Sequence, residues 1–176
     1  GNEFDLSGYS TYRLYVETTG QLLPSVYGNL DEDAIMKFAC SGEVFNSDLN
    51  FDYAHSINPL LYPVIPSVSF DSWWTLGVES EVIGSDGACT PSFMPNPDGS
   101  EFLTQSNWIL DGGGIGGPIC YVLNNCTNQI PDENNRVLIG QFTASGELGV
   151  ELQVDGINPE TYESERVLLS AFTGSL

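Results

Sequence analysis

The chain has 176 residues, with 24 acidic side chains against four basic ones and a formal net charge of -20. One domain with its own core suits that length, and 41% hydrophobic with 11% aromatic residues argues against disorder. So negative a field repels nucleic-acid phosphates and anionic lipid, which makes both poor candidates as partners, and it attracts cations, calcium foremost.

Residues 1–8 form an N-terminal arm ahead of the domain at 9–176. Phe4 and Leu6 alternate with Glu3 and Asp5, and Gly8 separates them from the first strand. Such an arm pairs with its own sheet or adds to the edge of a neighbour's. Exchange between copies is head-to-tail and makes a filament when the rotation does not close. The opening on Gly1 rather than Met reads as a mature or trimmed product.

Residues 9–17 alternate, with Tyr12, Leu14 and Val16 on one face of a strand. Residues 30–40 read as a helical turn after Asp31 or equally as strand. The run Asn46-Ser47-Asp48-Leu49-Asn50-Phe51-Asp52 spaces oxygen-bearing side chains two apart, so Asp48, Asn50 and Asp52 are candidate calcium ligands. It is not an EF-hand, which needs a sixth-position glycine and a closing Glu. Asp31-Glu32-Asp33 and Asp132-Glu133-Asn134-Asn135 are weaker versions, and a solvated acidic face is the plainer alternative for all three.

The longest apolar stretch, 57–68, is broken by Pro59, Pro63 and Pro66, so no window of about 18 residues could span a membrane. Residues 68–82 are aromatic and β-branched and predict a strand. Adjacent Trp73 and Trp74 point to opposite faces of it. Either one is core and the other lies under a loop, or one is exposed as a glycan or partner contact, a role open also to Trp108. The turn-rich loops 85–100 and 111–118 are places for binding residues. The glycines from Gly112 to Gly117 lack the Lys-Ser/Thr of a phosphate loop.

The clearest hairpin joins 136–143 to 147–154, turning at Ala144-Ser145-Gly146, with Gly146 suited to a positive φ. A last strand covers 166–172. Short strands punctuated by 19 glycines and ten prolines predict two packed antiparallel sheets, a jelly-roll-like β-sandwich.

Four cysteines, Cys40, Cys89, Cys120 and Cys126, allow three pairings. Cys120 and Cys126 bracket a length that suits a hairpin, which leaves Cys40 with Cys89. In the chain-entropy description these two disulfides are worth about 2.4 and about 4 kcal/mol. Asn125-Cys126-Thr127 is the one N-glycosylation acceptor in the chain. Together they favour export through an oxidising compartment and an extracellular location.

No active site is legible. His55 is the only histidine, and no nucleophile elbow accompanies it. Carboxylate pairs are close by chance among so many acids and say little about glycoside hydrolysis.

The segments Tyr12-Arg13-Leu14-Tyr15-Val16-Glu17, Val26-Tyr27-Gly28-Asn29, Ile57-Asn58-Pro59 and Phe70-Asp71-Ser72-Trp73-Trp74-Thr75-Leu76-Gly77 resemble secreted β-domains of bacterial and algal surface proteins. The Val137–Thr143 segment with Ser145-Gly146 matches their late strand pair. The chain is also similar to protomers of glycosylated extracellular helical fibrils from fresh water. The resemblance implies a structural subunit and brings no catalytic residues. Three functions follow in order. The first is a self-assembling filament subunit; the others are a calcium-assisted carbohydrate-binding or adhesion module and a glycoside hydrolase.

Overall fold

Alternation in the opening strand sets the layering: Val16 is buried, Tyr12 and Leu14 are half-buried beside it, and Arg13 and Glu17 stay exposed. The computed structural model describes residues 5–28, 36–83, 86–94, 107–110, 119–123 and 125–173, with Met94, 107–110, Ile119 and Phe172 as backbone alone. Its strands are β1 (Ser10–Glu17), β2 (Leu22–Tyr27), β3 (Met36–Cys40), β4 (Trp73–Trp74), β5 (Ser92–Met94), β6 (Asn107–Leu110), β7 (Ile119–Tyr121), β8 (Arg136–Ala144), β9 (Leu148–Ile157) and β10 (Ser164–Phe172). All pairings between them are antiparallel, as expected for a sandwich.

The smaller sheet has the order β1-β8-β4. In the larger one β9 is central. β10 runs along one of its edges, so β2 and β3 share the other end to end, β2 opposite Gln153–Ile157 and β3 opposite Leu148–Glu151. β7 and β5 continue outward from β2, and β6 from β3. The sheets pack through Phe38, Phe142 and Trp74, with Phe142 ring centroids 4.8 Å from Phe38 and 4.9 Å from Trp74.

A third layer covers the outer face of β8. It consists of short 3-10 turns, Ala54–Ser56, Pro59–Leu61 and Pro66–Phe70, whose Ala54, Ile57 and Val68 pack on Trp73 and Leu138. Here the structure departs from the expected strand at 68–82. Pro66 sits in the first turn of a 3-10 segment that runs to Phe70, and only Trp73–Trp74 remain strand. The two tryptophans do point to opposite faces, but both faces are covered. Trp73 lies under the third layer at 2% exposure and Trp74 in the sandwich core at 1%.

The expected 136–154 hairpin is not one. β8 and β9 belong to different sheets, and the chain crosses between layers at 145–147. Residues 41–43 make a second crossing beside it, and the two are stitched reciprocally. Glu43 N donates to Ser145 Oγ and Glu147 N to Ser41 Oγ, each at 2.9 Å. Gly146 is therefore required for approach rather than for a positive φ: a Cβ there would overlap Gly42, and one on Gly42 would overlap Ser145. An apolar period of two reads the same for a hairpin and for an arch between sheets, since either buries one side chain in two.

The disulfides also differ from expectation. One is present, Cys89–Cys126, with Cα atoms 5.4 Å apart, while Cys40 and Cys120 are buried thiols in the core. Cys120 faces inward from β7, and burial pushes its thiol well above the usual range. After it the chain does not return as a strand. Asn125, at φ 84°, leads into the 3-10 turn Thr127–Gln129, which carries Cys126 toward Cys89. The sequence separation of 37 makes this bridge worth about 4 kcal/mol in the chain-entropy description.

Candidate functional site

β1 and β10 are free edges on the same side of the sandwich, and among the described residues neither has a second strand partner. Their inward side chains, Leu14 and Val16 on one wall and Val167, Leu169 and Ala171 on the other, border an open apolar trough. It consists of three hollows of about 220, 200 and 110 Å³. Val16 and Leu169 line both of the larger two, while Leu14, Val150 and Ala171 link the first to the third, so the hollows are continuous. The floor is the core itself, with Ile139, Val150 and Leu152 at the base of the central hollow. Ordinary sandwiches blunt or cover such edges, because an unpaired strand with an apolar face is a template for another chain.

Residues 5–8 lead into β1, which forms one wall of this trough. Leu6 is half-buried and Asp5 exposed; Tyr9 N donates to Leu6 O at 3.0 Å, closing a turn in which Gly8 takes φ +86°. That angle favours glycine, and nothing stands within 4 Å of where a Cβ would project, so the turn is a hinge in open space. Phe4 lies outside the described residues.

The acidic run 46–52 is organised around an anion. Asp71, fully buried, accepts from Ser47 N at 2.7 Å, Ser47 Oγ at 2.9 Å and Phe51 N at 3.0 Å. Burial pushes its carboxyl above the usual range, and these hydrogen bonds pull the other way. Asp48 points to solvent, Asn50 takes φ 46°, and Asp52 uses its carbonyl to accept from Trp74 N at 2.9 Å. Among the described residues no three His, Cys, Asp or Glu side chains come together as a metal-holding group. Asp132 spends its carboxylate within its own turn, on Asn134 N, Arg136 N and the Arg136 guanidinium. Asp31–Asp33 and the 111–118 loop lie outside the described residues, as do residues 85 and 95–100 of the 85–100 loop.

Each of the four basic residues faces a carboxylate: Arg13 with Glu79, Lys37 with Glu151, Arg136 with Asp132 and Arg166 with Asp155. These exposed pairs add little stability. They leave the acidic excess otherwise unopposed.

Buried Trp73 and Trp74 present no ring face to a ligand, which corrects their candidacy as contacts. The Trp108 side chain is outside the described residues, although its backbone lies in β6. Among the described residues the most exposed aromatic is Tyr162, which sequence reasoning missed, at 81% exposure and φ 58° in the β9–β10 turn.

His55 packs beside Tyr53 and Phe93, with centroids 5.5 and 6.0 Å away, while those two rings contact each other at 4.1 Å. Burial lowers its pKa, so the native state prefers the neutral ring. The unfolded chain takes up the proton first, near pH 6.5, so stability is full above that pH and is lost below it, down to the lowered native value. Chemical denaturation at pH 7 and pH 5 is expected to show a lower midpoint at pH 5, and His55→Phe to flatten the difference. Asp71 acts with the opposite sign, its raised pKa favouring the native state as pH falls, so the variant comparison is needed to isolate His55.

Comparison with protein-family models, curated proteins and solved structures returns no match.

Proposed function

We propose that the protein is an extracellular structural subunit that self-assembles into a filament by inserting its N-terminal arm into the β1/β10 trough of the next copy. The trough is the observation that carries this reading: two unpaired edges flank an apolar channel floored by core residues. The occupant matches it in length and pattern. β1 has 8 residues, about 26 Å of strand, and residues 1–7 extended reach about 23 Å. Phe4 and Leu6 fall on one side of such a strand and supply the apolar face the channel lacks.

The same arm, folded back at the Gly8 turn, could cover its own β1, so assembly exchanges an internal contact for an equivalent external one. Opening a hinge at glycine costs little. The contact of arm with trough is heterologous, which propagates rather than closes. Copies of charge -20 repel, so screening salt or bound calcium favours the filament. The cysteine bridge is compatible with an oxidising, extracellular setting. The resemblance to fibril protomers points the same way. Deletion of residues 1–7 tests the reading.

A further inference from the structure

We propose that Asn125 is an N-glycan acceptor that has to be modified before the Cys89–Cys126 disulfide closes, so that the order of two covalent steps decides whether a molecule carries the sugar. The inference rests on the geometry of the Asn125-Cys126-Thr127 tripeptide and stands apart from filament assembly.

Asn125 is exposed, and its left-handed backbone, φ 84°, is one that asparagine adopts more readily than most residues. A sugar on its amide nitrogen would project into solvent without disturbing the fold. The rest of the acceptor is not free. The Thr127 hydroxyl, which a transferase must read, donates to Asp86 O at 3.2 Å, and Thr127 N donates to Gly87 O at 2.9 Å. Cys126, at 2% exposure, is covalently joined to Cys89. Asn128 then anchors the following turn, donating to Leu76 O and Cys89 O and accepting from Cys89 N. The folded, oxidised segment therefore holds the tripeptide against residues 86–89, where it cannot be drawn out as an extended strand.

The two reactions share these atoms. In the first, a lipid-pyrophosphate-linked oligosaccharide is transferred whole, through the sugar at its reducing end. The bond from sugar C1 to the pyrophosphate oxygen breaks, a bond from C1 to Asn125 Nδ2 forms, Nδ2 gives up a proton and the lipid pyrophosphate leaves. In the second, the Cys89 and Cys126 thiols lose two protons and two electrons to a disulfide donor of the oxidising compartment, which is reduced to a dithiol. Closure first removes the acceptor; transfer first leaves a sugar on an exposed side chain and does not obstruct closure.

The test uses purified oligosaccharyltransferase and a lipid-linked donor, with glycan-free protein made in a host that lacks the enzyme. The oxidised, folded chain is expected to be modified at least about tenfold more slowly than the same chain reduced and denatured, since modification must await opening of the bridged segment. Asn125→Gln should abolish the product. In cells that secrete the protein, Cys89→Ala should raise site occupancy above that of the unaltered chain, as read by mass after enzymatic deglycosylation. Equal rates for the oxidised and reduced chains would overturn the proposed order, and a reduced chain that is never modified would overturn the site. Unchanged occupancy in Cys89→Ala would likewise count against the competition.

Discussion

Removal of residues 1–7 is expected to leave a folded, soluble domain and to raise the concentration needed for assembly by at least about a hundredfold. A hundredfold change corresponds to about 3 kcal/mol. Burying Phe4 and Leu6 along the trough supplies about 1.5–3 kcal/mol each before any strand hydrogen bonds are counted. Ordering the arm costs about 1–2 kcal/mol per residue, more in total than these two side chains return, so the strand hydrogen bonds along the trough edge must supply the remainder. The domain itself loses little, because β1 begins at Ser10 and its pairing with β8 runs from Ser10↔Ala144 to Glu17↔Arg136 without the arm. Sedimentation and circular dichroism of the deleted and full-length chains separate the two effects. Filaments that persist after the deletion would place the contact elsewhere.

Asp71→Ala is expected to destabilise the domain by about 3–5 kcal/mol, the largest effect foreseen for a single side chain. Truncation strands Ser47 N, Ser47 Oγ and Phe51 N, three donors held by one buried carboxylate. Each unsatisfied buried donor costs about 1–3 kcal/mol, and relief of the desolvated charge offsets part of the sum. Asp71 also joins the third layer to β8, since Gln141 Nε2 donates to the Asp71 carbonyl at 2.9 Å. Asp71→Asn keeps an acceptor for one donor but turns an amide toward another, so it should cost nearly as much. Urea titration of both variants measures this; a loss below about 1 kcal/mol would mean that water replaces the carboxylate.

The arm and Asp71 show what could be read from the sequence and what could not. Phe4 and Leu6 were legible because alternation and a following glycine are local signals. The trough they are proposed to fill was not, because it arises from two strands more than a hundred residues apart that happen to end their sheets on one side. Strand identity in β1, β9 and β10 followed from period two, but sheet membership did not: the Ala144–Leu148 connection could have closed a hairpin. Asp71 gave no signal either. It reads as one more acid among 24, and its role depends on a loop 20–24 residues earlier folding over it. For the tryptophan pair the reading of one core residue and one covered by a loop holds, and the exposed-contact alternative does not, because the proline-rich 3-10 layer removes the wet face a two-layer protein would leave. The cysteine pairing failed where Asn125 turned a presumed return strand into a crossing.

Residue-resolved hydrogen exchange on free and assembled protein bears most directly on the proposed contact. Arm insertion predicts that assembly slows exchange at the outward amides of β1 and β10, on one or both edges of the trough, and that the chain lacking residues 1–7 shows no such change. Protection confined to other surfaces, with β1 and β10 exchanging as in the monomer, would contradict it.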